Sequence, residues 1–170
     1  MKFWRKAFEP WMIAFSTCTS SAALPVSMEV APKKMGVPRD IASFVLPLGC
    51  TAQMNGTCAY FGIVVLFAAQ LYGVELSIQQ QIMLVVQATF LSVGCAATPQ
   101  IGLVISLTLM TQMGLPLDAY ALVAGIYRII DQIHTSTNSV GDLVASVCIS
   151  EMQGELNHDV FNQVEQKKAA

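Results

Sequence analysis

The feature that most constrains this chain is the near absence of charge over residues 41–117, where Glu75 is the single charged side chain. A soluble domain needs far more charge on its surface, since about a quarter of the residues in such domains are acidic or basic. Over the whole chain, 12% of residues are charged and 54% are hydrophobic. The composition therefore predicts an integral membrane protein and disfavours the alternative of a soluble helical bundle.

The distribution of basic residues predicts how the chain is oriented in the membrane. They cluster before the first apolar segment, between the first two segments and in the tail: Lys2, Arg5, Lys6, Lys33, Lys34, Arg39, Lys167 and Lys168. The loops near residues 73–80 and 115–118 have none. Because cytoplasmic loops are rich in Lys and Arg, we expect both termini in the cytoplasm of a multi-pass cell-membrane protein. The net charge of −2 argues against a nucleic-acid partner.

Two apolar segments must then enter and leave the membrane on the same side. The first segment, within residues 10–36, is too short for two membrane spans of about 20 residues each. The second, within residues 80–114, is too long for one span and too short for two. Each contains a small-Ala-Ala-x-Pro pattern, Ser-Ala-Ala-Leu-Pro ending at Pro25 and Cys-Ala-Ala-Thr-Pro ending at Pro99. Proline removes a backbone donor and small residues allow close backbone approach. We expect re-entrant helical hairpins at residues 10–36 and 80–114, broken at these patterns.

The remaining apolar segments predict two membrane-spanning helices. Residues 41–73 form one span, interrupted by the polar, glycine-containing stretch 53–57 (Gln-Met-Asn-Gly-Thr). Unwound backbone is tolerated inside a membrane only where it is buried in protein or lines a cavity. Residues 119–149 form the last, continuous span, and residues 151–170 are a polar cytoplasmic tail. The predicted fold class is an all-α membrane protein.

The last span carries a narrow polar stripe. Asp131, Thr135, Asn138 and Asp142 follow one another at steps of four, three and four, so they share one face of a helix. Isolated carboxylates in an apolar medium are costly, which favours a buried polar site. The alternative is structural, because Arg128 is placed to pair with Asp131 on the same helix. His134, beside the stripe, is either a core histidine or a group that binds substrate or protons.

Several motifs together are similar to one family of transporters. They are Ser20-Ser21-Ala22-Ala23-Leu24-Pro25, Leu46-Pro47-Leu48-Gly49 with the stretch 53–57, Ser92-Val93-Gly94 with Pro99 and Gly102, Gly114-Leu115-Pro116-Leu117, and Asp131 through Asn138 to Gly141-Asp142. In this order and spacing they resemble the transport core of the dicarboxylate/amino acid:cation symporter family, which includes the glutamate transporters. The resemblance implies that residues 1–150 are a partial transport domain. In typical members of the family, earlier helices that have no counterpart in this sequence form the scaffold and the homotrimer contacts.

The resemblance also implies roles for individual residues. The implied substrate-binding residues are Ser20, Ser21, Thr57, Thr98, Gly102, Asp131, His134, Thr135 and Asn138, with Asp131 holding the substrate amino group. The implied Na⁺ ligands, mostly backbone carbonyls, are Gly49, Thr51, Gln53, Asn55, Ser92, Val93, Cys95, Asn138 and Asp142. Hard cations prefer such oxygen ligands, and carbonyls at helix breaks supply them.

Four residues depart from the family pattern, and one of them, Gln53, replaces an asparagine. His134 stands where members that carry acidic substrates have arginine, so bidentate recognition of a side-chain carboxylate is missing. Asn55 replaces an aspartate, which removes a charge from a cation site, and Tyr127 replaces another aspartate. We expect a small neutral or polar amino acid rather than glutamate, fewer Na⁺ ions than usual, and a share of the coupling taken by H⁺.

The resulting hypothesis is Na⁺- or H⁺-coupled symport of an amino acid or dicarboxylate by a fragment of a longer transporter in a lipid bilayer. The alternative is a truncated module that transports nothing and packs with partner helices. No nucleophile–base pair, phosphate loop or metal-binding cluster is evident, and the five cysteines lack paired spacing. We therefore expect no cofactor and no enzyme activity.

Overall fold

A computed structural model describes residues 2–95 and 99–163, and this part of the chain is helical, without strands. The prediction of an all-α fold is confirmed. The helices of the described residues are α1 (Lys2–Thr17), α2 (Ser20–Met35), α3 (Arg39–Ala52), α4 (Asn55–Leu71), α5 (Ile78–Val93), α6 (Ile101–Gln112), α7 (Asp118–Met152) and α8 (His158–Asn162).

Helix α7 organises the packing, since α1, α2, α3, α4 and α6 all contact it. One apolar cluster joins its first half to α4, α5 and α6 around Phe61, Leu109 and Met110. A second cluster joins its last third to α1, α2 and α3 around Met35 and Leu46. The polar stripe of α7 lies between the two clusters along the helix, so its side chains are buried while both neighbouring layers are apolar.

The break between α1 and α2 differs from the one that the sequence predicts. Helix α1 ends at Thr17, Cys18 adopts a left-handed conformation with φ 55°, and α2 starts at Ser20. Pro25, the expected breaker, lies inside α2 on its exposed face. A proline ring crowds the carbonyl four residues earlier, and an exposed position leaves room for that adjustment.

The other two helix breaks include the stretches at which the sequence predicts them or overlap those stretches. Helix α3 ends at Ala52 and α4 begins at Asn55, so Gln53 and Met54 separate them. Helices α5 and α6 are separated by residues 94–100, in which Gln100 has φ 68°. Residues 96–98, and with them the expected substrate ligand Thr98, lie outside the described residues.

The exterior of the described chain is strongly apolar. Arg39–Leu71 is long and apolar enough to cross a membrane, whereas α5 and α6 are apolar but shorter. Large side chains are widely exposed, among them Phe44 at 70%, Ile78 at 76% and Phe90 at 75%. Exposed apolar surface of this extent is typical of contact with lipid or with further helices.

The polar tail folds back as far as residue 163. Leu156 is buried in the second apolar cluster, and the Asn157 amide donates to the Gly36 carbonyl at 2.9 Å. Helix α8 therefore packs against the α1–α2 pair. Residues 164–170 lie outside the described chain.

Candidate functional site

The polar stripe of α7 faces the three helix breaks across a small cavity of about 20 Å³. The expected substrate ligands that line it are Ser20, Thr57, Gly102, Asp131, His134, Thr135 and Asn138. Cys95, which is expected at a cation site, also lines the cavity. The other lining residues are not predicted as ligands: Cys18, Thr19, Met54 and Ile101. Ser21 is not part of this cavity, because it is exposed and its hydroxyl lies 3.9 Å from Cys50 Sγ. A cavity of this size holds about one water molecule.

Asp131 is the acid at the centre of this cavity, and only 2% of it is exposed. Its Oδ1 accepts a hydrogen bond from Thr135 Oγ1 at 3.0 Å, one turn along α7. Its Oδ2 accepts from the backbone amide of Gln100 at 3.1 Å, just before α6. The alternative pairing does not form, because Arg128 Nη2 donates to the Ser16 carbonyl instead. Asp131 thus connects α7 to the turn between α5 and α6.

His134 is held from several sides. Its Nδ1 lies 3.3 Å from Thr57 Oγ1, and its Nε2 lies 3.3 Å from both Tyr127 Oη and Asp131 Oδ1. The Tyr60 ring stacks on the imidazole at 5.4 Å. The sequence does not predict the two tyrosine contacts. Tyr127 could have been found, since it precedes His134 by two helical turns on the same face, but Tyr60 comes from another helix without a sequence signal.

Asn138 closes the break between α3 and α4. Its Oδ1 accepts from the Gly56 amide at 2.7 Å, which satisfies an N–H in the first turn of α4. Its Nδ2 donates to Thr57 Oγ1 at 2.9 Å and to Met54 Sδ at 3.2 Å. A Cβ on Gly56 would lie 2.4 Å from the His134 carbonyl oxygen, so glycine is needed for α4 to approach α7 this closely.

A second polar group lies one turn further along α7. Asp142 is buried, and its Oδ1 has no hydrogen-bond partner among the described residues. A Cβ on Gly49 would lie 2.5 Å from this oxygen, and one on Gly141 would lie 2.9 Å from Gln53 Nε2 and 3.3 Å from Asn55 Nδ2. Four of the expected cation ligands therefore gather where α3 ends. A buried carboxylate oxygen without a partner is costly unless a cation or a proton neutralises it.

Comparison with known proteins identifies the chain's relatives. The model of the family described as Sodium:dicarboxylate symporter family matches residues 1–152. The chain belongs to the sodium:dicarboxylate symporter family. This membership confirms the resemblance.

Individual relatives of this symporter-family chain come from bacteria and animals. It is 39% identical to the proton/sodium-glutamate symport protein of Bacillus subtilis (strain 168), over 86% of this chain and 34% of that protein. It is 38% identical to an excitatory amino acid transporter of Caenorhabditis elegans, over 85% of this chain and 29% of that protein. It is 33% identical to excitatory amino acid transporter 2 of Homo sapiens, over 98% of this chain and 30% of that protein. The chain therefore spans 29 to 34% of the length of these relatives.

Of the remaining cation ligands expected from the family resemblance, one lies at the end of α3 and two at the end of α5. Thr51 is exposed at the end of α3, and its hydroxyl donates to the Leu48 carbonyl. Ser92 is buried and donates to the Thr89 carbonyl, whereas Val93 is exposed. Helix α3, which carries Thr51, contacts α5, which carries Ser92 and Val93.

Proposed function

We propose that this chain is part of a secondary active transporter that couples the symport of an amino acid or dicarboxylate to Na⁺, to H⁺ or to both. The observation that carries the proposal is the pair of buried acids on α7. Asp131 faces a cavity between helix breaks, and beside Gly49 one oxygen of Asp142 has no partner in the part of the chain that the structure describes. Broken helices around a buried polar site are the general plan of secondary transporters.

The proposed substrate site is the cavity around Asp131. Asp131 would bind the substrate amino group, and Thr57, Thr135, Asn138 and Gly102 would line the site. The substrate carboxylate would lie at the start of α2, where Ser20 and Ser21 stand, because the first N–H groups of a helix attract anions. Thr98, which lies outside the described residues, belongs to the proposed set through the family resemblance alone.

The proposed ion site is the group around Asp142. Its carboxylate, with backbone oxygens near Gly49, Gln53 and Asn138 and the Asn55 side chain, offers the oxygen ligands that alkali cations prefer. Thr51, Ser92, Val93 and Cys95 are proposed for a second ion through their backbone carbonyls. Asn55 carries no charge, which favours fewer bound Na⁺ ions than in relatives with an acid there.

The proposed membrane arrangement treats α1–α2 and α5–α6 as re-entrant hairpins, α3–α4 as a broken span and α7 as the last span. The tail and the loop around Lys33 and Arg39 would be cytoplasmic, following the positive-inside rule. The apolar exterior and the limited coverage of the relatives support further scaffold helices from a longer protein. A homotrimer that moves its transport domains as an elevator is the assembly that the resemblance implies.

Uptake of labelled amino acids by cells that express the transporter tests this function. We expect uptake to need external Na⁺ and to be lost in Asp142→Asn, which keeps the shape of the side chain but removes its charge. Asp118→Asn is the matched control, because Asp118 is an exposed acid at the start of the same helix. An uptake rate that changes neither with the Na⁺ concentration nor with pH would refute the proposal. A chain that binds no amino acid and gains no stability from Na⁺ would instead favour the non-transporting module.

The proposed substrate is a small neutral or polar amino acid. His134 offers single hydrogen bonds where a guanidinium would clamp a carboxylate, and its ring nitrogens already face Thr57, Tyr127 and Asp131. We expect His134→Arg to shift uptake from serine and alanine towards aspartate, measured as the ratio of their kcat/KM values. An unchanged ratio would show that His134 does not face the substrate side chain.

A further inference from the structure

We propose that Tyr127 is a positioning residue for substrate binding: it links α6 to the orientation of His134 and keeps Asp131 Oδ1 open to the substrate amino group. This inference rests on the proposed function of the cavity. Tyr127 is buried, only 2% of it is exposed, and it does not itself line the cavity. Its role would therefore be exerted through His134.

The hydrogen bonds around His134 define its tautomer. Asn138 Nδ2 donates one proton to Met54 Sδ and the other to Thr57 Oγ1, so Thr57 must direct its own proton elsewhere. The nearest good acceptor is His134 Nδ1 at 3.3 Å, since the Met54 sulfur is 4.0 Å from the hydroxyl. A neutral imidazole that accepts at Nδ1 carries its proton on Nε2.

Two acceptors compete for that single Nε2 proton. Tyr127 Oη and Asp131 Oδ1 both lie 3.3 Å from His134 Nε2. When Tyr127 accepts the proton, Asp131 Oδ1 has only its bond from Thr135 and keeps a lone pair for another donor. When Tyr127 does not, His134 binds Asp131 and competes with a substrate ammonium group.

The position of the Tyr127 hydroxyl depends in turn on α6. A Cβ on Gly102 would lie 2.5 Å from Tyr127 Oη and 3.7 Å from His134 Nε2, so the hydroxyl rests directly on the α6 backbone. Movement of α6 would therefore be felt at His134 through Tyr127, which connects the second helix pair to the acid that binds substrate.

The test is Tyr127→Phe, which removes the hydroxyl and leaves the ring. We expect the KM for L-serine and for L-alanine to rise about fivefold, the effect of one net hydrogen bond, while kcat changes little. Tyr60→Phe is the matched control, because its ring also stacks on His134 but its hydroxyl donates to Ser106 at 3.1 Å. If KM rises equally in both variants, the loss of any buried hydroxyl near His134 has the same effect, and the proposal is overturned.

A second variant separates positioning from damage to the fold. Gly102→Ala should raise KM because its methyl group displaces the Tyr127 hydroxyl. In the double variant Gly102→Ala with Tyr127→Phe that oxygen is gone, so Gly102→Ala should raise KM by a smaller factor than it does in the native chain, even though its methyl group also faces the cavity. Fully additive effects would contradict a shared contact.

The nitrogen-15 NMR resonances of the His134 imidazole test the positioning role of Tyr127 even if no uptake is detected. The chain has two histidines, so a His158→Gln background isolates the signal. We expect a neutral Nε2–H imidazole in the native chain and a shift of the Nε2 resonance in Tyr127→Phe. An unchanged Nε2 resonance would overturn the positioning role, whereas absent uptake with the expected NMR shift would overturn the proposed function alone.

Discussion

At the residue scale, glycines decide how closely the broken helices approach α7. Gly56 lies against the backbone of His134, and Gly49 lies against the carboxylate of Asp142. Backbone atoms cannot move aside as a flexible side chain can, so the contact at Gly56 tolerates no added methyl group. The polar side chains of α7 reach the helix breaks only because these positions have no Cβ.

We predict that Gly56→Ala lowers the free energy of unfolding by about 1 to 3 kcal/mol, the usual cost of overpacking a core. Gly62→Ala is the control on the same helix, where an added Cβ meets nothing within 4 Å. It should be neutral or slightly stabilising, since alanine favours helix more than glycine. Thermal unfolding in detergent measures both variants, and equal midpoints would contradict the close contact at Gly56.

At the element scale, Lys6 joins the C-terminal α8 to the first two helices. Its Nζ donates to the carbonyl oxygens of Lys34 at 2.6 Å and of Val160 and Phe161 at 2.9 Å. These acceptors lie near the ends of α2 and α8, where helix carbonyls carry partial negative charge. One buried ammonium group thus satisfies backbone groups of two elements that are far apart in the sequence.

We predict that Lys6→Met releases α8 from the α1–α2 pair, because methionine fills the space but donates no hydrogen bond. Amide hydrogen exchange over residues 156–161 should accelerate about 100-fold, in line with the loss of bonds to a charged donor. Lys33→Met is the control, since Lys33 forms an exposed ion pair with Glu29 that contributes little. Unchanged exchange in Lys6→Met would show that apolar contacts alone hold α8.

At the scale of the whole molecule, two apolar layers enclose one polar layer. The clusters around Phe61 and around Leu46 are separated along α7 by Asp131, Asn138 and Asp142. Ions that bind in this polar layer would connect α3, α4 and α7, so binding and folding should be linked.

We predict that Na⁺ raises the midpoint of thermal unfolding of the purified chain, whereas choline chloride at equal ionic strength does not. At a Na⁺ concentration 100 times Kd, linkage adds about 2.7 kcal/mol of stability. The shift should vanish in Asp142→Asn and persist in Asp118→Asn. The same shift with choline would show a general salt effect rather than a site.

Much of the fold follows from local patterns in the sequence. The run of residues with a single charge indicates a membrane protein, and the spacing of Asp131, Thr135, Asn138 and Asp142 places them on one helical face whatever the rest of the chain does. The polar stretch after Ala52 and the turn before α6 also interrupt helices where their composition predicts. These features depend on neighbours within one or two turns, which is why sequence suffices.

The remaining features depend on contacts between distant segments. Pro25 is a strong local breaker, yet the helix breaks at Cys18 instead, because the packing of α2 leaves Pro25 on the exposed face. Three contacts show this: Tyr60 with His134, Gln100 with Asp131, and Lys6 with Phe161 in α8. Each joins residues that are 31 to 155 positions apart in the sequence. No periodicity encodes such pairs, since their formation depends on how the helices pack together. The sequence alone determined the all-helical membrane class and the polar face of α7; the tertiary structure decided which side chains surround each acid.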